Sequence, residues 1–325
     1  NVEMNFSALN KLYKLLVRES EDRFLINISP LKLKEMLQDV VTLTGNSILS
    51  ADDFEAVFQR KSIQYGFLKE QTYADILNEQ VYVETQGEIV GQINGLSVIE
   101  YPGTPVSFGE PSRISCIVQF GEGEVIDVER KNELAGNIHS KGMMIAQACL
   151  SNILDLPSQL PFSASLVFEQ SYGEIDGDSA SLAIFCVLVS ALSDLPLPQN
   201  IAITGSIDQF GLVHSVGGVN DKIEGFFTIC QRRGLTGKQG VIIPMTTIQQ
   251  LSLSDEVKSA VKNNEFFIYP VEDIYQACEY LFERDLLDEN KEYSEKTMPI
   301  SRLIQRRIEN RLDSEKKGFW DFFKS

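Results

Sequence analysis

The sequence predicts a small all-α domain followed by a larger α+β domain. Three observations carry that expectation. The first 80 or so residues repeat apolar side chains at helical spacing. From about residue 84 the pattern changes to alternating polar and apolar residues with spaced glycines, the mark of strands and turns. Past residue 179, a run that is apolar almost all round leads into short apolar strands interleaved with helical stretches.

The helical part reads in order. "FSALNKLYKLLVRES" sets Leu9, Leu12, Leu16 and neighbouring Tyr13 on one face. "SPLKLKEMLQDVVTLTG" has the same spacing and stops at Gly45. "SADDFEAVFQRK" opens with a capping box from Ser50 to Asp53. "IQYGFLKEQTYADILNEQ" is polar and helical in character. These stretches predict a helical domain over 1–83.

The second domain is predicted over 84–285. "YVETQGEIVGQINGLSVIEY" and "SRISCIVQFGEGEVIDVER" read as strands and turns, "SKGMMIAQACLSNIL" as a helix and "SASLVFEQSY" as a strand. "ASLAIFCVLVSALS", residues 180–193, suits a fully buried helix and ends at "LPLP". "NIAITGSI" is a strand. "FGLVHSVGGVNDKIEGFFTICQRRG" is a turn, a strand, a glycine pair and a helix closed by Gly234. "GVIIP" and "FFIYPV" are strands, and "EDIYQACEYLF" is a last helix. Residues 286–300 are charged and linker-like. "SRLIQRRIENRLDSEKK" follows as an amphipathic helix with Leu303, Ile304, Ile308 and Leu312 on one side, ending in "FWDFF" with Trp320, a cluster suited to docking on this or a neighbouring subunit.

Composition narrows the function classes. With 43% hydrophobic residues, 325 residues can bury a substantial core. The formal charge of −17 speaks against a nucleic-acid role, which needs concentrated lysine and arginine. No run of 18 apolar residues suggests a membrane span, and no signal-peptide pattern opens the chain. The first residue is Asn1, so a piece of a longer protein is expected. Five scattered cysteines, with no CxxC pair, read as core thiols in a reducing cytoplasm.

The chemistry centres on "GEIDGDSASLAIF". Ser179 follows a Gly-Asp turn and opens the apolar run. A serine hydroxyl needs a base beside it, and the chain has only two histidines, His139 and His214. His139 is expected in a polar loop before a helix and His214 in a strand. Neither has an evident acidic partner in the sequence, and a structural role accounts for each. A metal hydrolase is weakly supported, because the two histidines lack ligand spacing. Lys222 is the other candidate base. It lies in "GGVNDKIEGFF", in the expected first turn of a helix, where the helix dipole and burial both disfavour an ammonium. To act near neutral pH its pKa must fall from about 10.4 by roughly 2–3, a differential destabilisation of roughly 3–4 kcal/mol. Simpler readings stand beside these. Lys222 fits a solvated surface lysine, and Ser179 or Asp178 fits a helix N-cap.

Together, "GEIDGDSAS", "ITGSIDQFGLVHSVGGVNDKIEGFF" and "GVIIP" resemble the proteolytic domain of the Lon proteases, in the branch with Gly-Asp-Ser-Ala-Ser rather than Gly-Pro-Ser-Ala-Gly around the nucleophile. The likeness covers about residues 90–283, and "GEIVGQINGLSVI" resembles the start of that domain. The first 80 residues resemble the helical lid of an AAA+ ATPase module. The resemblance implies that Ser179 is the nucleophile, Lys222 the general base and Thr204 a residue orienting the amine. Backbone N–H groups around Asp178, Ser179 and Ala180 would form the oxyanion hole. It further implies a cytoplasmic, ATP-driven hexameric ring that degrades unfolded polypeptides, with no nucleic-acid or membrane partner.

Two features complicate that picture. A carboxylate on Asp178 close to Lys222 would keep the amine protonated, so Asp178 is expected either to point away or to latch a resting site through an ion pair. The chain also lacks a G-x-x-x-x-G-K-[ST] pattern; "SVGGVNDK" has neither the spacing nor the Ser/Thr. No cofactor is therefore expected in this chain, and ATP with magnesium only where a full ATPase module is present. The rival expectation is a catalytically idle Lon-like domain serving as an assembly or adaptor module.

Overall fold

A computed structural model describes the chain apart from residues 1, 101–103, 105, 158, 172–174, 288–291 and 323–325, and describes the backbone alone over 312–322. The chain begins with a short strand β1 (Glu3–Met4), helices α1 (Phe6–Ser20) and α2 (Pro30–Thr44), strand β2 (Ile48–Leu49), and helices α3 (Ala51–Tyr65) and α4 (Phe67–Leu77). Pro30 opens α2 at a position whose N–H would be unbonded anyway, and Gly45 closes it in a left-handed conformation. The expected capping box holds, with the Ser50 N–H donating to Asp53 Oδ2 at 2.7 Å. The buried face of α1 keeps Leu12 and Leu16 but is rotated from the one expected. Ala8, Leu12, Leu16 and Val17 point inward, while Leu9 and Tyr13 are half exposed. The small Ala8 allows close helix packing, so the stripe is rotated toward it. The fourth helical stretch is broken at Gly66, where α3 ends and α4 begins.

Strands β3 (Glu88–Val90), β4 (Gln92–Glu100), β5 (Ser107–Gly123) and β6 (Val125–Asp127) follow, then helices α5 (Val128–Lys131) and α6 (Asn137–Ile153), strand β7 (Leu160–Phe168) and helix α7 (Ser181–Ser193). After them come β8 (Pro196–Pro198), β9 (Ile201–Ile203), β10 (Ser206–Ile207), β11 (Val213–His214), helix α8 (Val219–Arg233), β12 (Gly240–Pro244), helix α9 (Asp255–Lys262), β13 (Phe267–Val271), and helices α10 (Ile274–Phe282) and α11 (Ile300–Phe322). The main sheet is mixed, in the order β13-β12-β9-β4-β5-β7-β6. Its β9, β12 and β13 are parallel, whereas β4-β5-β7 is an antiparallel ribbon.

The period-2 alternation of the strands divides the core into two layers. In β9 and β12, Ile203 and Ile242 join the cluster holding α6, α7 and α10, while Ala202, Val241 and Ile243 join the cluster holding α8 and α9. Helix α7 lies in the first layer with all 13 of its residues buried. The strand expected over "NIAITGSI" is interrupted at Thr204–Gly205 and resumes as β10, which pairs with β11 instead of the main sheet. That interruption turns Thr204 into the site described below.

The stretch expected to be a linker is in part core. Leu286, Met298 and Ile300 are buried, and α11 packs Ile304 against the α7 layer. Arg307 donates to the carbonyls of Ala191 and Leu192 near the end of α7, at 3.0 and 2.8 Å, where a helix C-terminus leaves carbonyls unbonded. Leu303 and Ile308 are half-buried. The side chains of Leu312 and of the "FWDFF" cluster with Trp320 lie outside the described residues. Among the described residues, no helix is long and apolar enough to cross a membrane.

Candidate active site

The loop that carries Ser179 is shaped by a glycine and anchored by backbone. Gly177 has φ 110°, a left-handed conformation that a side chain would strain. It delivers Asp178, Ser179 and Ala180 to the start of α7. The Ser179 carbonyl accepts from the Gly205 N–H at 2.9 Å, and the Leu182 N–H donates back to the Gly205 carbonyl at 3.1 Å. The Ser181 hydroxyl accepts from the Ile207 N–H at 2.9 Å. The loop is thus joined to the bend between β9 and β10 on three sides. Neither Ser179 nor Asp178 caps α7. The capping position falls on Ala180, with no side-chain cap bond. Among the described residues, the N–H groups of Ser179 and Ala180 have no hydrogen-bond partner.

Lys222 comes from the other layer. Helix α8 starts after Gly218, and its fourth residue, Lys222, points into the core with 4% of its surface exposed. Its Nζ lies 3.2 Å from Ser179 Oγ and 3.2 Å from Thr204 Oγ1. The expectation of a solvated surface lysine is therefore corrected. Burial pushes its pKa down from 10.5 to about 8, against a smaller opposing pull from the Asp178 charge. Two hydroxyls can solvate a neutral amine, but they cannot neutralise an ammonium, so the amine is held near its titration point.

Asp178 is near enough for its charge to act on the amine but is bonded elsewhere. Its Oδ2 accepts from Ser206 Oγ at 3.0 Å, and among the described residues it makes no ion pair with Lys222. The ion-pair latch is absent from this conformation. Ser206 is the residue the sequence reading missed. Its only signal was its place directly after "TG", at the strand break.

One histidine is not where it was expected, and both have an acidic neighbour. His139 is in the first turn of α6 rather than in a loop, is buried, and sits 3.3 Å from Asp127. His214 is half exposed on β11, 3.0 Å from Asp208. Neither is hydrogen-bonded to Ser179. Asp176, in the same motif as Ser179, was also overlooked. Its Oδ1 accepts from the N–H groups of Ile138 and His139 at 3.0 and 3.1 Å, occupying the free donors at the start of α6. All five cysteines are buried and free.

The comparisons with known proteins follow this geometry. Residues 173–284 match the model of the Lon protease (S16) C-terminal proteolytic domain. The chain carries a Lon proteolytic domain. It is 87% identical, over all 325 of its residues, to a Haemophilus influenzae protein named as a homolog of Lon protease. It is 51% identical, over 83% of its length, to an Escherichia coli protein with the same description. An archaeal Lon protease of Methanocaldococcus jannaschii is 39% identical over 42% of the chain. The chain spans about half the length of the two bacterial relatives, 54% and 47%, and 21% of the archaeal one.

The glycine pair before α8 is the nearest likeness to a phosphate loop, but Lys222 is buried against two hydroxyls and Asp221 stands in the first turn, where a phosphate would meet a like charge.

Proposed function

We propose that this Lon proteolytic domain is a serine endopeptidase working through a Ser179–Lys222 dyad. The observation that carries the reading is the buried Lys222 amine, 3.2 Å from the Ser179 hydroxyl with its pKa pushed down to about 8. In its neutral form the amine offers a lone pair to the hydroxyl at that same contact. Lys222 takes the proton as Ser179 Oγ attacks the scissile carbonyl. The free N–H groups of Ser179 and Ala180, with that of Asp178, would stabilise the oxyanion. Lys222 then returns the proton to the leaving amine, and a water molecule, deprotonated by the same amine, releases the acyl group. Thr204 orients the amine through its hydroxyl.

The substrates in this reading are unfolded polypeptides, bound as extended chains along a strand edge. The assembly is a homo-oligomeric, hexameric ring in the cytoplasm. ATP and magnesium would act on a part of the longer protein other than these residues. The alternative, a catalytically idle module for assembly or adaptor work, is less favoured, because the serine, lysine and threonine lie within hydrogen-bond reach of one another and Asp178 is engaged by Ser206.

Hydrolysis of a fluorogenic peptide by the protein and by Ser179→Ala tests the reading. Loss of at least about 10³-fold in the variant is expected. Equal activity in both would overturn it.

A further inference from the structure

Helix α8 presents two opposite chemistries across its first turns. Lys222 points inward to the hydroxyls. Asp221 and Glu224, on either side of it in sequence, point outward to one guanidinium, that of Arg18 near the end of α1. Arg18 Nη1 and Nη2 donate to Glu224 Oε1 and Oε2 at 2.7 and 2.8 Å, a two-pronged contact. Nη2 also donates to Asp221 Oδ1 at 2.8 Å, and Nη1 to the Ser252 carbonyl at 3.1 Å. Arg18 thus joins the helical segment to the catalytic layer across 206 residues of sequence.

The acid pair is already organised to receive it. Ser107 Oγ on β5 donates to Asp221 Oδ2 at 2.6 Å, and the Ser254 N–H donates to Glu224 Oε1 at 2.8 Å. A backbone bond from the Arg23 N–H to the Gln249 carbonyl, at 2.8 Å, secures the loop after α1 nearby. A surface ion pair is usually worth little, because two flexible chains must be ordered. Here the fork engages four acceptor atoms on three residues, two of α8 and Ser252 beyond it, so its effect is geometric: it sets how far α8 can rotate.

Rotation is what the dyad cannot tolerate. An extended lysine carries its Nζ about 8 Å from the helix axis, so a turn of ~10° displaces it by roughly 1.4 Å. Both contacts of Lys222 are already 3.2 Å, near the long end of the hydrogen-bond range. A displacement of about 1 Å can cost on the order of 10²-fold in rate.

We propose that Arg18 is a positioning residue for the peptidase site: its guanidinium, clasping Asp221 and Glu224, holds α8 at the rotation that brings Lys222 to Ser179. This rests on the dyad reading. It makes the helical segment a part of the active machinery rather than a neighbour of it, since moving α1 would move the base.

The test is steady-state hydrolysis of a short unstructured peptide by the full chain, with Ser179→Ala in parallel. Arg18→Ala is expected to lower kcat about 10- to 100-fold with KM within twofold. Arg18→Lys, which keeps the charge but not the fork, should recover part of the loss. Glu224→Gln should lower kcat in the same direction, and the double variant should be no worse than Arg18→Ala alone, because both break one clasp. Glu224→Gln carries the test by itself if Arg18→Ala does not fold. An Arg18→Ala protein with wild-type kcat, or a double variant whose loss is the product of the two single losses, overturns the positioning role. If Ser179→Ala abolishes activity in either of those cases, the dyad stands without the clasp. If Ser179→Ala remains active, the dyad reading itself has failed.

Discussion

The two helices that bring the site together are held by different forces. Helix α7, which follows the nucleophile, has every residue buried and no charged side chain. Helix α8, which carries the amine, is amphipathic: Ile223, Phe226 and Phe227 lie in the core, while Asp221 and Glu224 are ion-paired to Arg18. It also approaches β5 closely, where Gly225 and Gly109 lie backbone against backbone and a Cβ on either would collide with the other strand or helix. A helix held by non-directional packing over its whole surface has no easy direction in which to move. One held on its outer side by a polar clasp can be released there. The Ser179 side of the site thus follows a helix held by packing, while the Lys222 side adds a polar clasp to its packed face.

That contrast can be broken most decisively at the dyad. Lys222→Met should abolish peptide hydrolysis, by at least about 10³-fold, while raising stability. The sign follows from the depressed pKa. The unfolded lysine titrates near 10.5 and the folded one near 8, so the folded state resists the proton. The contribution of Lys222 to stability is fully present above about 10.5 and is lost as pH falls through about 8. Below that, replacing it relieves a burden of up to ~3 kcal/mol, offset in part by the two lost hydroxyl contacts. Thermal melts of both proteins at pH 7 check this, and a less stable variant would contradict the account of the lysine.

Packing in α7 predicts the opposite division of effects. Leu188→Ala, fully buried in that helix, should cost about 2–5 kcal/mol of stability. Its kcat, measured well below the melting temperature, should stay within about threefold of the parent, because the loop is anchored separately by the Gly205 and Ile207 amides. A large kcat loss in a folded Leu188→Ala protein would erase the distinction between the two helices.

Smaller effects sharpen the electrostatics. The activity should rise with pH through about 8 as Lys222 loses its proton. Ser206→Ala frees the Asp178 carboxylate to approach the amine and stabilise its charged form. The acid limb should then move up by ~0.5–1 pH unit, with activity at pH 7 falling about 3- to 10-fold and recovering at high pH. A pH–rate profile reads both, and an unmoved limb would mean that Ser206 does not restrain Asp178. The smallest effect is expected at His214, half exposed, paired with Asp208 and, among the described residues, hydrogen-bonded to neither Ser179 nor Lys222; His214→Gln should leave kcat/KM within about twofold.

Particular residues show what could be read in advance. Local pattern marked Ser179 and offered Lys222 beside a surface-lysine reading, the resemblance to Lon singled out Lys222 and Thr204, and the chain folds so that all three meet. Each stands beside a local signal, a glycine or a strand end, that survives in one dimension. Ser206 and Asp176 also stand beside glycines, but nothing in one dimension says what their side chains meet, and Arg18 has no local signal at all. Ser206 matters because a strand breaks before it, Asp176 because α6 starts where its carboxylate happens to point, and Arg18 because α1 ends against α8. The stripe on α1 and the supposed linker after residue 285 were misread for a related reason. Apolar spacing gives a face, but which edge of that face is buried depends on what packs there.

Local pattern was enough for the helix and strand periods, the buried character of α7 and a serine set at a helix start; the threonine and lysine were singled out by the resemblance to a family, not by pattern. Only the tertiary structure decided the direction of the Asp178 carboxylate, the burial that lowers the amine's pKa and the grip of Arg18 on α8. Those depend on distances between segments far apart in the chain, and burial and Coulomb energies are set by such distances.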